Sequence, residues 1–209
     1  MSLSEVINKI YIIHYNKLVE RKNYLIHFFN KNNITNYEFR ELYQRDTLTT
    51  EVTDNYFKLN NLNSAQICIT IEHIETYREI VNNCSNENGW YLILEDDTIF
   101  CDNFIEKLNN HMDNIPNDSE YLDISDYFVI NSNNMWERKN TTRTTSAYLV
   151  NKKTCETILS TIIPFEYAID HELNKQFKIH DTKTYWSSES LTHHGSGSNY
   201  NGSYDQWRG

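Results

Sequence analysis

Five apolar residues, Trp90-Tyr91-Leu92-Ile93-Leu94, run without a polar break into three consecutive acids, Glu95-Asp96-Asp97. A strand that lacks apolar–polar alternation is covered on both faces, which places it in the middle of a layered α/β sheet. Ligands of open α/β sheets gather beyond the carboxyl ends of the strands, so these acids stand where a site is expected. Three adjacent carboxylates repel one another, and a divalent cation relieves that repulsion. Oxygen ligands favour Mg²⁺ or Mn²⁺ over zinc. The competing reading is a solvated acidic turn.

The flanking sequence alternates strand and helix. Residues 6–15 are β-branched and aromatic and predict a buried strand. From Leu18 the period changes, with Leu18, Leu25, Phe28 and Phe29 on one side of a helix to about Asn30. Residues 36–43 predict a second strand, completing a βαβ unit. Ser64 is placed as the cap of a helix in which Ile67, Ile71, Ile74, Tyr77 and Val81 recur every three or four residues. Asp102 is placed as the N-cap of a helix through Met112. Strands are expected within 121–130, 146–150 and 183–187, and helices over 152–160 and 170–177. Residues 44–62 are polar and give no clear pattern, and 192–209 shift towards Gly, Ser and Asn.

A chain of 209 residues, 39% hydrophobic, predicts one domain, and 13% aromatic content with two prolines and five glycines excludes collagen-like or disordered classes. Its net charge of −10 argues against nucleic acid as a partner, though a local basic or metal-bearing pocket could still hold an anion. No apolar run approaches the ~20 residues of a membrane span and no leader pattern opens the chain, so a cytoplasmic location without a transmembrane segment is expected. Cys68, Cys84, Cys101 and Cys155 form no Cys-x-x-Cys pair, which speaks against a zinc knot or redox dithiol. No Gly-x-Gly-x-x-Gly, P-loop, His-Glu-x-x-His or Gly-x-Ser-x-Gly pattern occurs.

Several other residues are candidates for chemistry. His193-His194-Gly195 could bring an imidazole to a metal site begun by carboxylates, or be two exposed loop histidines. Asp170 and Glu172 follow an apolar stretch, where a carboxylate could be raised into the range of a general base, or Asp170 could be an N-cap. Arg21 could meet an anionic ligand or be one charge on a solvated face. His73 shares a helix face with Ile69, Tyr77 and Ile80 and reads as a satisfied, partly buried histidine.

Taken in order, these segments resemble glycosyltransferase family 25. Ile10-Tyr11-Ile12-Ile13-His14-Tyr15-Asn16 followed by Glu20-Arg21 looks like its opening strand. Residues 64–73 are similar to its Ser-His helix, with Glu72 where that family has Ser. Leu92-Ile93-Leu94-Glu95-Asp96-Asp97 matches its version of the DxD metal motif. Ala147-Tyr148-Leu149 and Ala168-Ile169-Asp170 resemble two later segments.

The resemblance implies a GT-A-type nucleotide-sugar-binding α/β sandwich with a central mixed, mostly parallel sheet. It also implies a single domain over 1–209, with a nucleotide-binding half to about 100, an acceptor half over about 101–191, and a tail over 192–209. It implies transfer of a hexose of glucose or galactose type from a UDP-sugar to a hydroxyl of a glycan or protein acceptor, with inversion. In that reading Glu95, Asp97 and His194 (or else His193) hold Mn²⁺ or Mg²⁺. Asp96, His14, Tyr15, Asn16 and Arg21 bind the sugar nucleotide, and Asp170 deprotonates the acceptor. Tyr200, Tyr204 and Trp207 would close over the bound sugar. The alternatives are a non-catalytic sugar-nucleotide-binding interaction module and a metal phosphohydrolase.

Overall fold

The unbroken apolar stretch forms β3 (Trp90–Glu95), an interior strand of a seven-stranded sheet. The computed structural model describes residues 6–58, 61–83, 86, 89–126, 128, 130 and 132–196. Before β3 come β1 (Ile7–Ile13), α1 (Val19–Lys31), β2 (Tyr37–Arg40), α2 (Thr50–Tyr56) and α3 (Ser64–Asn83). After it come β4 (Thr98–Phe100), α4 (Phe104–Asp113), β5 (Tyr121–Asp123), β6 (Trp136–Lys139), β7 (Ala147–Asn151), α5 (Lys152–Leu159), α6 (Ile169–His180), β8 (Thr184–Ser187) and β9 (Thr192–His194).

The sheet order is β2-β1-β3-β7-β5-β8-β6, with β4 and β9 forming a separate two-stranded ribbon. Strands β1, β2 and β3 are mutually parallel, as are β5 and β8, while β7 is antiparallel to both β3 and β5 and β6 is antiparallel to β8. Five strands therefore run one way and two the other, which is the mixed, mostly parallel α/β sheet expected. Their carboxyl ends at Ile13 and Glu95 lie in register on adjacent strands.

Both faces of β1 and β3 are covered, which is why neither alternates. On one face Ile10, Ile12, Leu92 and Leu94 pack with Leu25 and Phe29 of α1 and Phe104 and Leu108 of α4. On the other, Tyr11, Ile13, Tyr91 and Ile93 pack with Ile67, Ile71 and Ile74 of α3, Ile158 of α5 and Phe177 of α6. Each fully buried aliphatic side chain contributes about 1.5–3 kcal/mol. Cys68, Cys101 and Cys155 are free thiols. No helix among the described residues is long and apolar enough to cross a membrane.

The helix starts differ from those expected. Asn63, not Ser64, caps α3: its Oδ1 accepts from Gln66 N (3.0 Å) while Gln66 Oε1 accepts from Asn63 N (3.1 Å), a reciprocal capping box. Asn103, not Asp102, precedes α4, in the left-handed region at φ 56° that asparagine tolerates. Ala168 precedes α6, so Asp170 lies inside the first turn instead of capping it. The strand expected within 121–130 ends at Asp123, and 192–194, read as tail, is strand β9. The proposed lid residues Tyr200, Tyr204 and Trp207 lie outside the described residues.

Candidate active site

The acidic turn owes its shape to the ribbon that follows it. After Glu95 the chain turns at Asp96-Asp97 and returns as β4, which pairs antiparallel with β9 so that Thr98 faces His194. Gly195 N then donates to the Asp97 carbonyl at 2.7 Å. A Cβ at Gly195 would sit 2.6 Å from that same oxygen, so only glycine lets the chain pass this close. Thus a residue ninety-seven places after Asp97 is brought to it by backbone pairing.

The three acids diverge in role. Asp96 faces β1 and α1: its Oδ2 accepts from His14 Nδ1 (2.9 Å) and Tyr15 N (3.1 Å), and its Oδ1 from the Arg21 guanidinium (2.7 Å). Burial works to raise this carboxyl, and His14 and Arg21 outweigh it, so it lies below the ordinary value. Arg21 is thereby fixed; it also donates to Ser196 Oγ (2.8 Å) and stands 3.8 Å from Asp97 Oδ2.

Glu95 and Asp97 turn the other way. Glu95 Oε1 accepts from Thr145 Oγ1 (2.6 Å) and lies 3.5 Å from His73 Nε2. Burial again opposes ionisation, and attraction to His73, with the Thr145 hydroxyl, outweighs it and holds Glu95 low. His73 is fully buried and bonded through Nδ1 to Tyr148 Oη (2.8 Å), so it positions Glu95 from α3. Burial and the Glu95 charge push the Asp97 carboxyl up, while His194 at 3.3 Å pulls it back.

One ligand atom each from Glu95, Asp97 and His194 falls within 4.8 Å of the others. Asp97 Oδ1 is buried and has no hydrogen-bond partner among the described residues. Two carboxylates and one imidazole, with a buried Asp97 oxygen that has no hydrogen-bond partner among the described residues, fit a divalent cation of the Mn²⁺ or Mg²⁺ type. His193 faces away from this group. Its Nδ1 pairs with Asp126 Oδ2 (2.9 Å), which lifts the imidazole above its ordinary value, while Asp126 Oδ1 accepts from His194 N (3.2 Å).

These residues border a cavity of about 430 Å³ at the carboxyl ends of β1 and β3. His14, Tyr15, Arg21, Glu95, Asp96, Asp97 and His194 all line it, as do Tyr43, Arg45, Cys68 and Glu72. Asn16 and Asp170 do not. Asn16 is exposed and its N–H bonds Gln44 Oε1 (3.0 Å). Asp170 accepts from the N–H of His171 (2.9 Å). Glu172 is buried and holds the N–H groups of Glu166 and Tyr167 (2.5 and 2.9 Å), a structural task.

Sequence reasoning passed over Arg45, whose guanidinium lies 4.1 Å from the centre of the Tyr15 ring. Its signal was an arginine just past the second parallel strand. It also passed over Asp126, which carries no local pattern and meets His193 only through the fold.

The profile for "Glycosyltransferase family 25 (LPS biosynthesis protein)" matches residues 7–173. No curated protein sequence matches. Among solved structures, a glycosyltransferase involved in the glycosylation of the major capsid of PBCV-1 superposes with a TM-score of 0.52 at 12% identity, covering 91% of this chain and 93% of that one. A Drosophila β-1,4-galactosyltransferase 7 complexed with manganese, UDP-Gal and xylobiose gives 0.46 at 7% identity, covering 90% of this chain and 71% of that one. Mouse xyloside xylosyltransferase 1 gives 0.44 at 9%, covering 93% and 90%.

Proposed function

The chain belongs to glycosyltransferase family 25, and from that premise we propose that it transfers a hexose from a UDP-sugar to a hydroxyl of a glycan or protein acceptor, using Mn²⁺ or Mg²⁺. The observation that carries this reading is the convergence of Glu95, Asp97 and His194, with an Asp97 Oδ1 that has no hydrogen-bond partner among the described residues, at the edge of a cavity large enough for a nucleotide. A cation held there supplies Lewis acidity to a leaving diphosphate.

The chain's own residues do the rest. Arg21, locked by Asp96, presents fixed positive charge beside the triad, so no reorganisation is needed when charge develops on the leaving group. His14 and Tyr15, with Arg45 over the Tyr15 ring, border the nucleotide. His73 and Thr145 keep Glu95 ionised and aimed. Asp170 is given no part, because it does not line the cavity.

The test is UDP release from a panel of UDP-sugars with Mn²⁺, against GDP- and CMP-sugars, in the presence of a glycan acceptor mixture. Acceptor-dependent release from one UDP-sugar, abolished by chelator, is the expected result. Binding without release would make the chain an interaction module, and release unaffected by chelator would remove the metal from the account.

A further inference from the structure

Among the cavity-lining residues of α3 is an acid that the proposed chemistry does not use. Glu72 is 2% exposed and lines the cavity beside Tyr43, Cys68 and Arg45. Its Oε1 accepts the Tyr43 N–H at 2.5 Å, which fixes the carboxylate. Its Oε2 is buried and has no hydrogen-bond partner among the described residues. Only three cavity-lining residues keep such an atom among those described: Asp97, which the cation would satisfy, His14 and Glu72.

An unpaired buried carboxylate oxygen is costly unless a ligand completes it. Burial pushes this carboxyl up to about 7, against the pull of the Tyr43 and Leu42 N–H groups and of Arg40. A hydrogen bond given to the ionised form would repay part of that cost. The surroundings restrict the giver. Tyr15 with Arg45 over its ring makes a flat, cationic wall, and Ala65, Cys68 and Ile69 add small or apolar surface. Flat aromatic surfaces beside one polar atom suit a planar heterocycle with an N–H on its edge.

We propose that Glu72 Oε2 accepts a hydrogen bond from the ring N–H of the nucleobase and so sets the base preference of the site. This rests on the sugar-nucleotide function proposed above. A uracil offers one N–H between two carbonyls, which matches a single free oxygen.

The experiment is calorimetry on the full chain at pH 8 with Mn²⁺, titrating UDP, N3-methyl-UDP, 2′-deoxy-UDP and inorganic diphosphate into wild type and Glu72→Gln. The amide keeps the shape and the acceptor for Tyr43 and turns the free oxygen into a donor. UDP should weaken about tenfold in the variant, while diphosphate, which has no base, binds as before. On wild type alone, N3-methyl-UDP should bind about tenfold more weakly than UDP, a comparison that needs no substitution. Equal binding of UDP and N3-methyl-UDP overturns the contact, as does a parallel loss of UDP and diphosphate in the variant, or a loss for UDP that 2′-deoxy-UDP does not share, which would place the contact on the ribose. If wild type binds no UDP, the sugar-nucleotide function itself falls.

Discussion

Asp97 shows how much a single residue's role depends on what its neighbours leave undone. Thr145 and His73 attend to Glu95, and His14, Tyr15 and Arg21 use up Asp96, yet one Asp97 oxygen is buried without a hydrogen-bond partner among the described residues. Asp97→Asn, which keeps the shape and removes the charge, should lower Mn²⁺ affinity at least tenfold while leaving thermal stability equal or higher, since a costly buried charge is gone. Paired metal titration and melting curves check this. Glu72 gives a pH prediction. Its carboxyl is raised from 4.5 to about 7 by burial, against Arg40 and with Glu75 facing it. The folded chain therefore holds a proton that the unfolded chain releases between those values. That contribution is full below pH 4.5 and fades as pH rises through 7. In urea unfolding, the stability of wild type relative to Glu72→Gln should fall across that window; a constant difference would contradict it. The acidic run was legible because three acids after an apolar strand are a local pattern. Arg45, Glu72 and Asp126 were not, because each acquires its partner from a distant segment.

At the scale of elements, the three-residue strands β4 and β9 deliver His194 to Asp97. Strands this short have no periodicity to read, so the residues alone offered His193 or His194 as a metal ligand or an exposed loop pair, and it is the β4–β9 pairing that singles out His194. Gly195→Ala should push β9 off the Asp97 carbonyl and weaken Mn²⁺ binding while the seven-stranded sheet stays intact. Circular dichroism alongside metal titration separates the two. α6 makes the opposite case. Apolar residues before Asp170 suggested a base, but the helix starts earlier, at Ile169 after Ala168, and Asp170 does not line the cavity. Asp170→Asn should leave turnover within about threefold of wild type, and a loss of a hundredfold or more would return it to the chemistry. Two helix starts were misplaced by one residue: Asn63 supplies the cap beside Ser64, and Asn103 precedes α4 through its left-handed backbone, without a side-chain cap bond, beside Asp102.

For the whole molecule, the two covered faces of the sheet follow from runs such as 90–94 and the helix between β1 and β2, so the α/β class was legible throughout, while the strand order came only with the structure. The reversal of β7 between β3 and β5 was not, since strand direction leaves no mark in a five-residue apolar segment. Ile93 packs into the α3 face of the core, and Ile93→Ala should cost about 2–5 kcal/mol in chemical unfolding. The same architecture sets both strand ends, at Ile13 and Glu95, on one rim and so builds the cavity on the acidic turn. The most direct measurement is electron paramagnetic resonance of Mn²⁺ bound to the full chain with UDP. One ion per chain, with nitrogen coupling that disappears in His194→Gln and binding that collapses in Asp97→Ala, is the predicted result. Bound Mn²⁺ that is indifferent to both substitutions, or none bound at all, would contradict the site.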